Sequence, residues 1–504
     1  MELPASFVDY TRSLLGEEEY EKLAVALQQE PPVSIRFNNE KWKMQDEGLS
    51  AVHSPFDRVP WSSEGVYLDE RLTFTFDPLF HAGCFYVQEA SSMFVEQALR
   101  QYIKEPAIML DLCAAPGGKS THARSVLPEG SLLVANEVIR NRSQVLAENL
   151  AKWGHPDVVV TNNDPADFSA LPSFFDVILT DVPCSGEGMF RKDPVAIEEW
   201  TPENVEICWQ RQRRIIADIW PCLKPGGILI YSTCTFNTKE DEENVRWIQQ
   251  EFGAELLPLE VREEWNITGN LLKDESTGTV HLEGIPVYHF FPHKTKGEGF
   301  FLAVLRKPCI ETDDNETKKA WETINSQKSV ISKSTIARAA KKKGKHAGKG
   351  VPSVAKELMD VAQSWVRDIG NYSLLTDAET VYAFPNARLE ELEALRQNLK
   401  VIQSGVSVGE VRDLVPAHAL ALCPVLLRDG AFVVEDISYE QAIAYLRKEA
   451  IVLPAAVARG FVLLTYRGVP LGFVKNIGNR ANRRNFGYCK FLGTIKKNRI
   501  RSAR

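Results

Sequence analysis

Short apolar runs alternate with longer amphipathic stretches through the middle of the chain. The runs lie at 108–110, 132–134, 158–160, 177–179 and 228–230, and helical patterns accompany them at 120–127, 140–152, 204–223 and 240–252. Continuous apolar runs are typical of parallel strands that are buried on both faces. The pattern therefore predicts a doubly wound α/β domain over residues 76–306, in which Phe300–Leu305 is a late strand that closes the sheet.

The segments on either side of this domain have a different character. Residues 1–75 predict a small N-terminal leader domain with helices. Residues 307–350 are polar and then rich in Lys and Gly, which is typical of a linker. Residues 351–504 predict a separate α+β region, with a helix at 389–399 and strands at 431–434 and 460–466.

Charge is distributed unevenly along the chain. With 504 residues, the chain is too long for one core. Its net charge of −8 conceals two basic segments, because residues 324–356 and the whole stretch after Glu449 contain no acidic residue. Local basic surface on an acidic protein indicates a polyanion that binds at a defined place. For the lysines at 341–349, a solvated linker is an equally good interpretation.

The cysteine pattern and the lack of long apolar runs indicate the cellular compartment of the protein. The nine cysteines include no C-x-x-C pair, which disfavours a disulfide framework and a zinc site and favours a reducing environment. The acidic N-terminus lacks the apolar core of a signal peptide, and no apolar stretch approaches the roughly 20 residues of a membrane helix. We therefore expect a cytoplasmic, monomeric protein with no metal and no membrane segment.

Residues that suit a nucleotide cofactor follow the predicted strands in order. The first strand leads into a glycine-containing loop and a helix N-terminus, which favours a carboxylate or phosphate; the loop residues are Cys113, Ala114, Ala115, Pro116, Gly117, Gly118 and Lys119. Glu137 follows the second strand, where an acid binds ribose hydroxyls. Asp164 follows the third strand near the expected adenine edge, and Asp181 ends the fourth. The patterns G-x-G-x-x-G and G-x-x-x-x-G-K-[ST] are both absent, which disfavours a dehydrogenase and a P-loop enzyme.

Two thiols stand where two further strands are expected to end. Cys184 lies in Asp181–Gly186, and Cys234 ends the motif Tyr231–Cys234. A cofactor loop beside two thiols suggests covalent chemistry on an electrophilic ring. A single cysteine is more often a buried small hydrophobe, and we interpret the remaining ones in this way: Cys84, Cys208, Cys222, Cys309, Cys423 and Cys489.

These motifs resemble those of the Nop/Sun family of S-adenosylmethionine-dependent RNA (cytosine-5) methyltransferases. The likeness covers about residues 30–306 and depends most on the cofactor loop, Asp181–Lys192 and Tyr231–Thr235. It implies a Rossmann-like class I methyltransferase fold. It also implies that the loop 113–119, Glu137, Asp164 and Asp181 bind S-adenosylmethionine, that Cys234 is the nucleophile, and that Cys184 assists product release.

The implied chemistry explains why two thiols are needed. Carbon 5 of cytosine is too poor a nucleophile to attack a methyl sulfonium, but a thiolate that adds to carbon 6 makes it enamine-like. Asp181 is the candidate acid near N3 of the base, and Cys184, or a water that it positions, is the candidate for the release step. Because Pro183 is followed by Cys184 and not by a second proline and an aromatic residue, carbon methylation is favoured over nitrogen methylation.

The C-terminal part resembles, more weakly, the extension of RsmF-type bacterial 16S ribosomal RNA methyltransferases. This resemblance implies a PUA-like RNA-binding module over about residues 400–504, and ribosomal RNA or the small ribosomal subunit as the partner. Transfer RNA is the alternative substrate, and a non-catalytic RNA-binding assembly factor is the alternative function. From Asn482 onward the chain departs from the aromatic-Pro and Trp-Arg-Ile-Arg ending of such extensions, so no contacts are predicted there.

RNA must present an unstacked base to the thiols, which costs a few kcal/mol. Phosphate contacts from Lys and Arg can offset this cost. Besides the two basic segments, Arg191 and Lys192 are candidates for such contacts. Arg36 and His293 are candidates for the pocket, although a structural hydrogen-bond donor is an equally good interpretation of each, and Phe190 is a candidate for stacking on a base.

Overall fold

The N-terminal part consists of a helical hairpin and a small antiparallel sheet. In the computed structural model, residues 2–41, 57–272, 285–309, 356–377, 379–411, 414–478 and 481–482 are described. The elements of this part are α1 (Ala5–Leu15), α2 (Glu17–Leu27), β1 (Val33–Phe37), β2 (Gly65–Leu68), α3 (Pro78–Ala82) and β3 (Phe85–Val87). The strand order is β2-β1-β3, with both pairs antiparallel.

The central part has the predicted alternation of strands and helices. Its helices are α4 (Val95–Tyr102), α5 (Gly118–Val126), α6 (Arg140–Trp153), α7 (Pro194–Glu199), α8 (Pro202–Ile219) and α9 (Glu242–Phe252). Its strands are β4 (Ile108–Asp111), β5 (Leu132–Asn136), β6 (Val158–Thr161), β7 (Phe175–Asp181), β8 (Leu223–Thr233), β9 (Glu255–Leu256), β10 (Val287–Phe290) and β11 (Phe300–Arg306). Each predicted apolar run lies inside one of these strands, because each is buried on both faces of the sheet.

The central strands form one sheet whose order reverses beside β4. The order β10-β11-β8-β7-β4-β5-β6 places β4 to β8 parallel to one another, with separate apolar clusters on the two faces. The predicted doubly wound α/β fold is confirmed. The prediction that Phe300–Leu305 closes the sheet is wrong, because β10 pairs antiparallel with the outer side of β11. Strand β10 contains Tyr288 and His289, so it lacked the continuous apolar run that marks the others.

The C-terminal part adds two small sheets and contributes one strand to the central sheet. Its helices are α10 (Lys356–Trp365), α11 (Leu389–Asn398), α12 (His418–Ala421) and α13 (Tyr439–Leu446). Its strands are β12 (Tyr372–Thr376), β13 (Thr380–Pro385), β14 (Val401–Ser404), β15 (Val406–Glu410), β16 (Val433–Asp436), β17 (Gly460–Tyr466), β18 (Val469–Asn476) and β19 (Ala481–Asn482). Strand β14 pairs antiparallel with β6, at the edge opposite β10.

Almost all of the first basic segment and the end of the second fall outside the described residues, which include neither 310–355 nor 483–504. The lysine cluster and the atypical ending therefore remain predictions. No helix within the described ranges is both long enough and apolar enough to span a membrane.

Candidate active site

The predicted cofactor loop lies at the carboxyl end of β4 and leads directly into α5. Gly117 is the N-cap of α5 and has a φ of 112°, a left-handed conformation that a side chain would strain. The backbone N–H of Ala114 donates to the carbonyl of Asn136 at 2.9 Å, which fixes the loop against the end of β5. The first turn of α5, whose N–H groups have no partner within the helix, thus lies at the carboxyl end of β4, where the sheet order reverses and where such sheets bind ligands.

A buried acid that the sequence did not single out, Asp111, binds the start of α5 directly after this loop. Asp111 ends β4, and its Oδ2 accepts a hydrogen bond of 2.6 Å from Ser120 Oγ, while its Oδ1 is buried without a partner among the described residues. Burial raises the pKa of Asp111 to about 7. A buried acceptor without a partner beside the cradle fits a ligand that brings an N–H donor.

The end of β5 combines an acid with apolar surface. Glu137 Oε1 accepts the backbone N–H of Ile139 at 2.8 Å, and Glu137 Oε2 lies 3.5 Å from Arg142 Nη1. Arg142 also donates to the carbonyl of Ala115 at 2.9 Å, which ties the acid to the cofactor loop. Beside them, Val138 and Ile139 are 54% and 50% exposed. An acid next to exposed aliphatic side chains suits a nucleoside, whose ribose is polar and whose base has apolar faces.

Asp164 has a visible structural role at the end of β6. Its Oδ1 accepts the N–H of Ala166 at 3.1 Å, while Asp167 Oδ2 accepts the N–H of Asp164, so the two acids cap the 3₁₀ helix Pro165–Ala170. The capping box holds Asp164 beside the cofactor crevice. An adenine contact by this residue remains a prediction.

Asp181 links the cofactor loop to the strand that leads to Cys234. Its Oδ2 accepts a hydrogen bond of 2.8 Å from Lys119 Nζ, and its Oδ1 accepts one of 2.8 Å from Ser232 Oγ. Burial acts to lower the pKa of Lys119, but the charge of Asp181, with a smaller contribution from Cys234, raises it above the ordinary value. A fixed ammonium charge therefore lies within electrostatic range of the Cys234 thiol.

The two predicted active-site thiols are in direct contact. Cys184 Sγ lies 3.1 Å from Cys234 Sγ, and the backbone N–H of Cys234 points at Cys184 Sγ from 3.4 Å. Both side chains are partly exposed, and neither cysteine is in a disulfide. The hydrogen bond with Cys234, together with burial, holds the pKa of Cys184 well above its ordinary value. Cys184 is thus a neutral thiol that can donate a proton towards Cys234.

A network of buried carboxylates holds the two thiol loops together. Glu187 Oε2 accepts from Thr235 Oγ1 and from the N–H of Phe236, each at 2.7 Å, and its Oε1 accepts from Asn237 Nδ2 and Trp200 Nε1, each at 3.0 Å. Burial, with smaller opposing contributions from these bonds, raises the pKa of Glu187. Sequence reasoning missed this residue, because its partners lie in segments that only the fold brings together.

A second carboxylate on the same network anchors the Cys184 loop. Glu240 Oε2 accepts the N–H of Ser185 at 3.1 Å and Gln212 Nε2 at 2.6 Å. Burial and the nearby charge of Glu187 raise the pKa of Glu240 to about 7. At the same place, the N–H of Gly188 donates to the carbonyl of Cys234 at 2.7 Å, so the two loops also share a backbone hydrogen bond.

The predicted RNA contacts of Arg191 and Phe190 are wrong, and for Arg36 and His293 the structural alternative is confirmed, because all four side chains are used inside the protein. Arg191 donates to Glu298 Oε2 at 2.7 Å in a buried ion pair, and Arg36 is fully buried. His293 is paired with an acid of α2 at 3.1 Å, and Phe190 is buried 5.0 Å from the ring of Phe7. Charge and aromatic character suggested surface roles for these residues. Arg191, His293 and Phe190 instead pack against α1 and α2, and Arg36 donates to Gln88 and Thr121. The corresponding role of Lys192 remains a prediction.

Family models match three separate parts of the chain. The model for 16S rRNA methyltransferase RsmB/F matches residues 99–306, and that for the N-terminal domain of 16S rRNA methyltransferase RsmF matches residues 3–90. The model for the methyltransferase RsmF PUA domain matches residues 432–483.

Curated relatives extend the similarity to nearly the whole chain. A ribosomal RNA small subunit methyltransferase F of Pectobacterium carotovorum is 30% identical over 496 residues, which are 95% of this chain and 94% of that one. The protein of the same name from Pectobacterium atrosepticum is 36% identical over 60% of this chain and 63% of its own length. Among solved structures, a methyltransferase homolog protein from Pyrococcus horikoshii is 32% identical, with a TM-score of 0.52 over 60% of this chain and 94% of that one.

Proposed function

The chain belongs to the ribosomal RNA small subunit methyltransferase F family, and we propose that it methylates carbon 5 of a cytosine in 16S ribosomal RNA through a covalent bond to Cys234. The family and the fold are those of S-adenosylmethionine-dependent methyltransferases. The observation that supports the covalent mechanism most strongly is the contact between the thiols of Cys184 and Cys234, beside the pair Asp181–Lys119.

The cofactor residues are proposed from the crevice described above. The loop 113–119 and the start of α5 would face the charged methionyl part of S-adenosylmethionine. The Glu137 carboxylate would accept hydrogen bonds from the ribose hydroxyls. Asp164 and Asp181 would complete the site, and the unpartnered Oδ1 of Asp111 fits the donors that the cofactor carries. When bound, S-adenosylmethionine supplies an electrophilic methyl group.

Cys234 starts the reaction on the base. Its thiolate adds to carbon 6 of cytosine, so that an Sγ–C6 bond forms and the electron pair of the C5–C6 double bond becomes available at carbon 5. Lys119 provides positive charge near the thiolate, and the Cys184 thiol can donate a hydrogen bond to it from 3.1 Å. Asp181 is held by Lys119 and Ser232 where it can bind the N3–N4 edge of the ring.

Cys184 acts in the second half of the reaction. After methylation, carbon 5 must lose its proton, and the electron pair of that C–H bond re-forms the double bond as Cys234 leaves carbon 6. The Cys184 thiol gives its proton to the departing Cys234 sulfur, 3.1 Å away, and the Cys184 thiolate that results takes the proton from carbon 5, for which its raised pKa makes it a strong base. Its contact with Cys234 places it beside the carbon that Cys234 has attacked.

The RNA substrate is proposed from the relatives. Curated relatives are named as small-subunit ribosomal RNA methyltransferases, and a PUA domain model matches residues 432–483. These findings favour ribosomal over transfer RNA. The cytoplasmic location and the monomeric state remain predictions.

The covalent mechanism can be tested with single cysteine variants. Purified chain is incubated with labelled S-adenosylmethionine and, in separate reactions, small ribosomal subunits, free 16S RNA and transfer RNA. We expect Cys234→Ala to abolish methyl transfer, and Cys184→Ala to accumulate a protein–RNA adduct that survives denaturing electrophoresis. Cys309→Ala is the matched control, because this thiol is exposed and free and lies outside the site.

The outcomes separate the parts of the proposal. Normal methyl transfer by Cys234→Ala would refute the covalent step. Normal turnover of Cys184→Ala without an adduct would remove its role in release. RNA that carries 5-fluorocytidine should trap the wild-type protein but not Cys234→Ala. Fluorine at carbon 5 cannot leave as a cation in the way that hydrogen leaves as a proton, so the covalent adduct cannot break down. Labelling of transfer RNA alone would refute the proposed substrate.

A further inference from the structure

A second cluster of titratable side chains is hydrogen-bonded to Thr233, the residue before Cys234, but contains no residue of the site described above. Asp241, Glu242 and His289 are 0%, 0% and 1% exposed. Each offers one atom able to bind a metal, and these three atoms all lie within 4.8 Å of one another. Buried groups of this kind are normally paired, so the partners of each atom decide what the cluster can do.

Within the part of the chain that the structure describes, three atoms of the cluster have no hydrogen-bond partner: Asp241 Oδ2, Glu242 Oε2 and His289 Nδ1. The other atoms are satisfied, since Thr233 Oγ1 donates to Asp241 Oδ1 at 2.6 Å, and Glu242 Oε1 lies 2.8 Å from His289 Nε2. The hydrogen bonds thus orient all three side chains and leave one lone-pair atom of each unused. His289 Nδ1 and Asp241 Oδ2 are 3.9 Å apart, too far for a direct hydrogen bond.

The charge of the cluster also lacks compensation. In the described part of the chain, no Lys or Arg forms an ion pair with Asp241 or Glu242. Two buried carboxyl groups with no basic side chain of Lys or Arg beside them lack a counter-charge, which a single divalent cation would supply. Two carboxylate oxygens and one imidazole nitrogen form a donor set that suits Zn²⁺ and neighbouring first-row ions.

We propose that Asp241, Glu242 and His289 bind one divalent first-row transition-metal ion, with Zn²⁺ as the best match. Ligand atoms that share one Zn²⁺ at about 2.1 Å in a tetrahedral arrangement are about 3.4 Å apart, so a small contraction of the cluster would complete the site. The three protein ligands leave one coordination position for water. The site lies apart from the thiols, so this inference does not depend on the proposed function.

The position of the cluster gives the ion a structural role. Asp241 is bound to Thr233, which directly precedes Cys234, while His289 is on β10. His289 pairs with Phe301 of β11, and Phe301 pairs with Thr233 of β8, so the three residues form one row across the sheet. An ion here would cross-link β10 to the loop after β8 and would fix the segment that carries Cys234.

Sequence reasoning predicted no metal site, because it looked for closely spaced cysteines and histidines. Glu242 and His289 are 47 positions apart, and only the pairing of β8, β11 and β10 brings them together.

The experiment measures bound metal, not activity. The full chain is stripped of metal with a chelator, incubated with about one molar equivalent of Zn²⁺ or Mn²⁺, passed through a desalting column and examined by elemental mass spectrometry and thermal unfolding. We expect about one ion per chain and a higher melting temperature with metal than without. Asp241→Asn keeps the acceptor for Thr233 but removes the free carboxylate oxygen, and His289→Gln removes the nitrogen ligand. Both variants should lose the ion and the metal-dependent rise in melting temperature.

Glu251→Gln is the control, because this acid lies on the same helix, α9, but is exposed. It should bind metal like the wild-type chain. The proposal is overturned if the wild-type chain retains no ion, or if Asp241→Asn and His289→Gln retain as much as the control. A metal-free wild-type chain in which nitrogen NMR finds His289 protonated on both nitrogens would identify a bridging imidazolium instead. Should one variant fail to fold, the metal content of the other variant, compared with that of Glu251→Gln, still decides the question.

Discussion

Gly188 allows a direct test of how closely the two thiol loops must pack. A Cβ atom added at Gly188 would lie 2.6 Å from the carbonyl oxygen of Cys234 and 2.6 Å from that of Gly299. Both contacts are with backbone, so no flexible side chain can move aside. Gly188→Ala must therefore push the Cys234 segment away by about 0.8 Å to restore ordinary contact.

The size of this displacement sets the expected effects. A shift of about 1 Å in a reacting group can cost about 100-fold in rate, so we expect Gly188→Ala to lower turnover by about 10- to 100-fold. Overpacking should also lower the free energy of unfolding by about 1–3 kcal/mol. The control is Gly227→Ala, whose Cβ would meet Leu223 Cδ1 and the carbonyl of Lys224 at 2.8 Å each. Gly227 lies on β8, seven residues before Cys234, which is about 23 Å along an extended strand at about 3.3 Å per residue.

The assay compares both variants per mole of folded protein. Initial rates of methyl transfer from labelled S-adenosylmethionine to 16S RNA are measured at saturating RNA, and stability is measured by urea denaturation. Both variants should be destabilised to a similar extent, but only Gly188→Ala should lose turnover. Equal turnover in the two variants would refute the idea that the position of Cys234 depends on this contact.

The remaining predictions concern burial and charge. Arg191→Met should leave the buried Glu298 carboxylate with only Lys192, 3.6 Å away, as an ionic partner. The expected cost is up to about 3–5 kcal/mol in chemical denaturation, part of which Glu298→Gln in the same chain should restore. Phe7→Ala should cost about 3–5 kcal/mol in the same measurement, because Phe7 is fully buried against Phe190; a smaller loss than 1 kcal/mol would mean that α1 packs loosely. The pKa of Asp111 is raised to about 7. Between about pH 4 and pH 7 the folded state therefore keeps a proton on Asp111, whereas the unfolded state has lost it. The free energy of unfolding should consequently fall as the pH rises through this window. Asp111→Asn should reduce that fall by up to about 1.4 kcal/mol per pH unit, and an unchanged pH profile would contradict the assignment.

The parts of the fold that the sequence predicted are those whose signal is local. Strand β7 is marked by the apolar run Val177–Leu179, since both its faces are buried, and Glu137 and Asp181 could be placed because acids at strand ends share one edge of a parallel sheet. The two thiols could be placed side by side for the same reason, because they follow the neighbouring strands β7 and β8.

The parts that could not be predicted depend on contacts between distant segments. Nothing near Glu187 reveals that Trp200 and Asn237 will donate to it, and nothing near Arg191 reveals that Glu298, 107 positions away, will bury it in an ion pair. A charged side chain has the same local signature whether it faces RNA or a partner inside the protein. Strand β14 escaped prediction because the chain returns to the central sheet only after a linker and two further strands.

That return has a practical meaning for anyone who wishes to express a catalytic fragment. Residues 401–404 cover the outer edge of β6. Two further backbone hydrogen bonds continue this pairing at its ends, from Asn162 N–H to the carbonyl of Lys400 and from Gly405 N–H to the carbonyl of Val158. A fragment that ends within the linker would expose β6 as an edge strand, whose unpaired N–H and C=O groups could pair with another chain. Such an exposed apolar edge favours self-association and inclusion bodies. The C-terminal part is therefore also the protective edge of the catalytic sheet, and fragments of this protein should be designed to retain it.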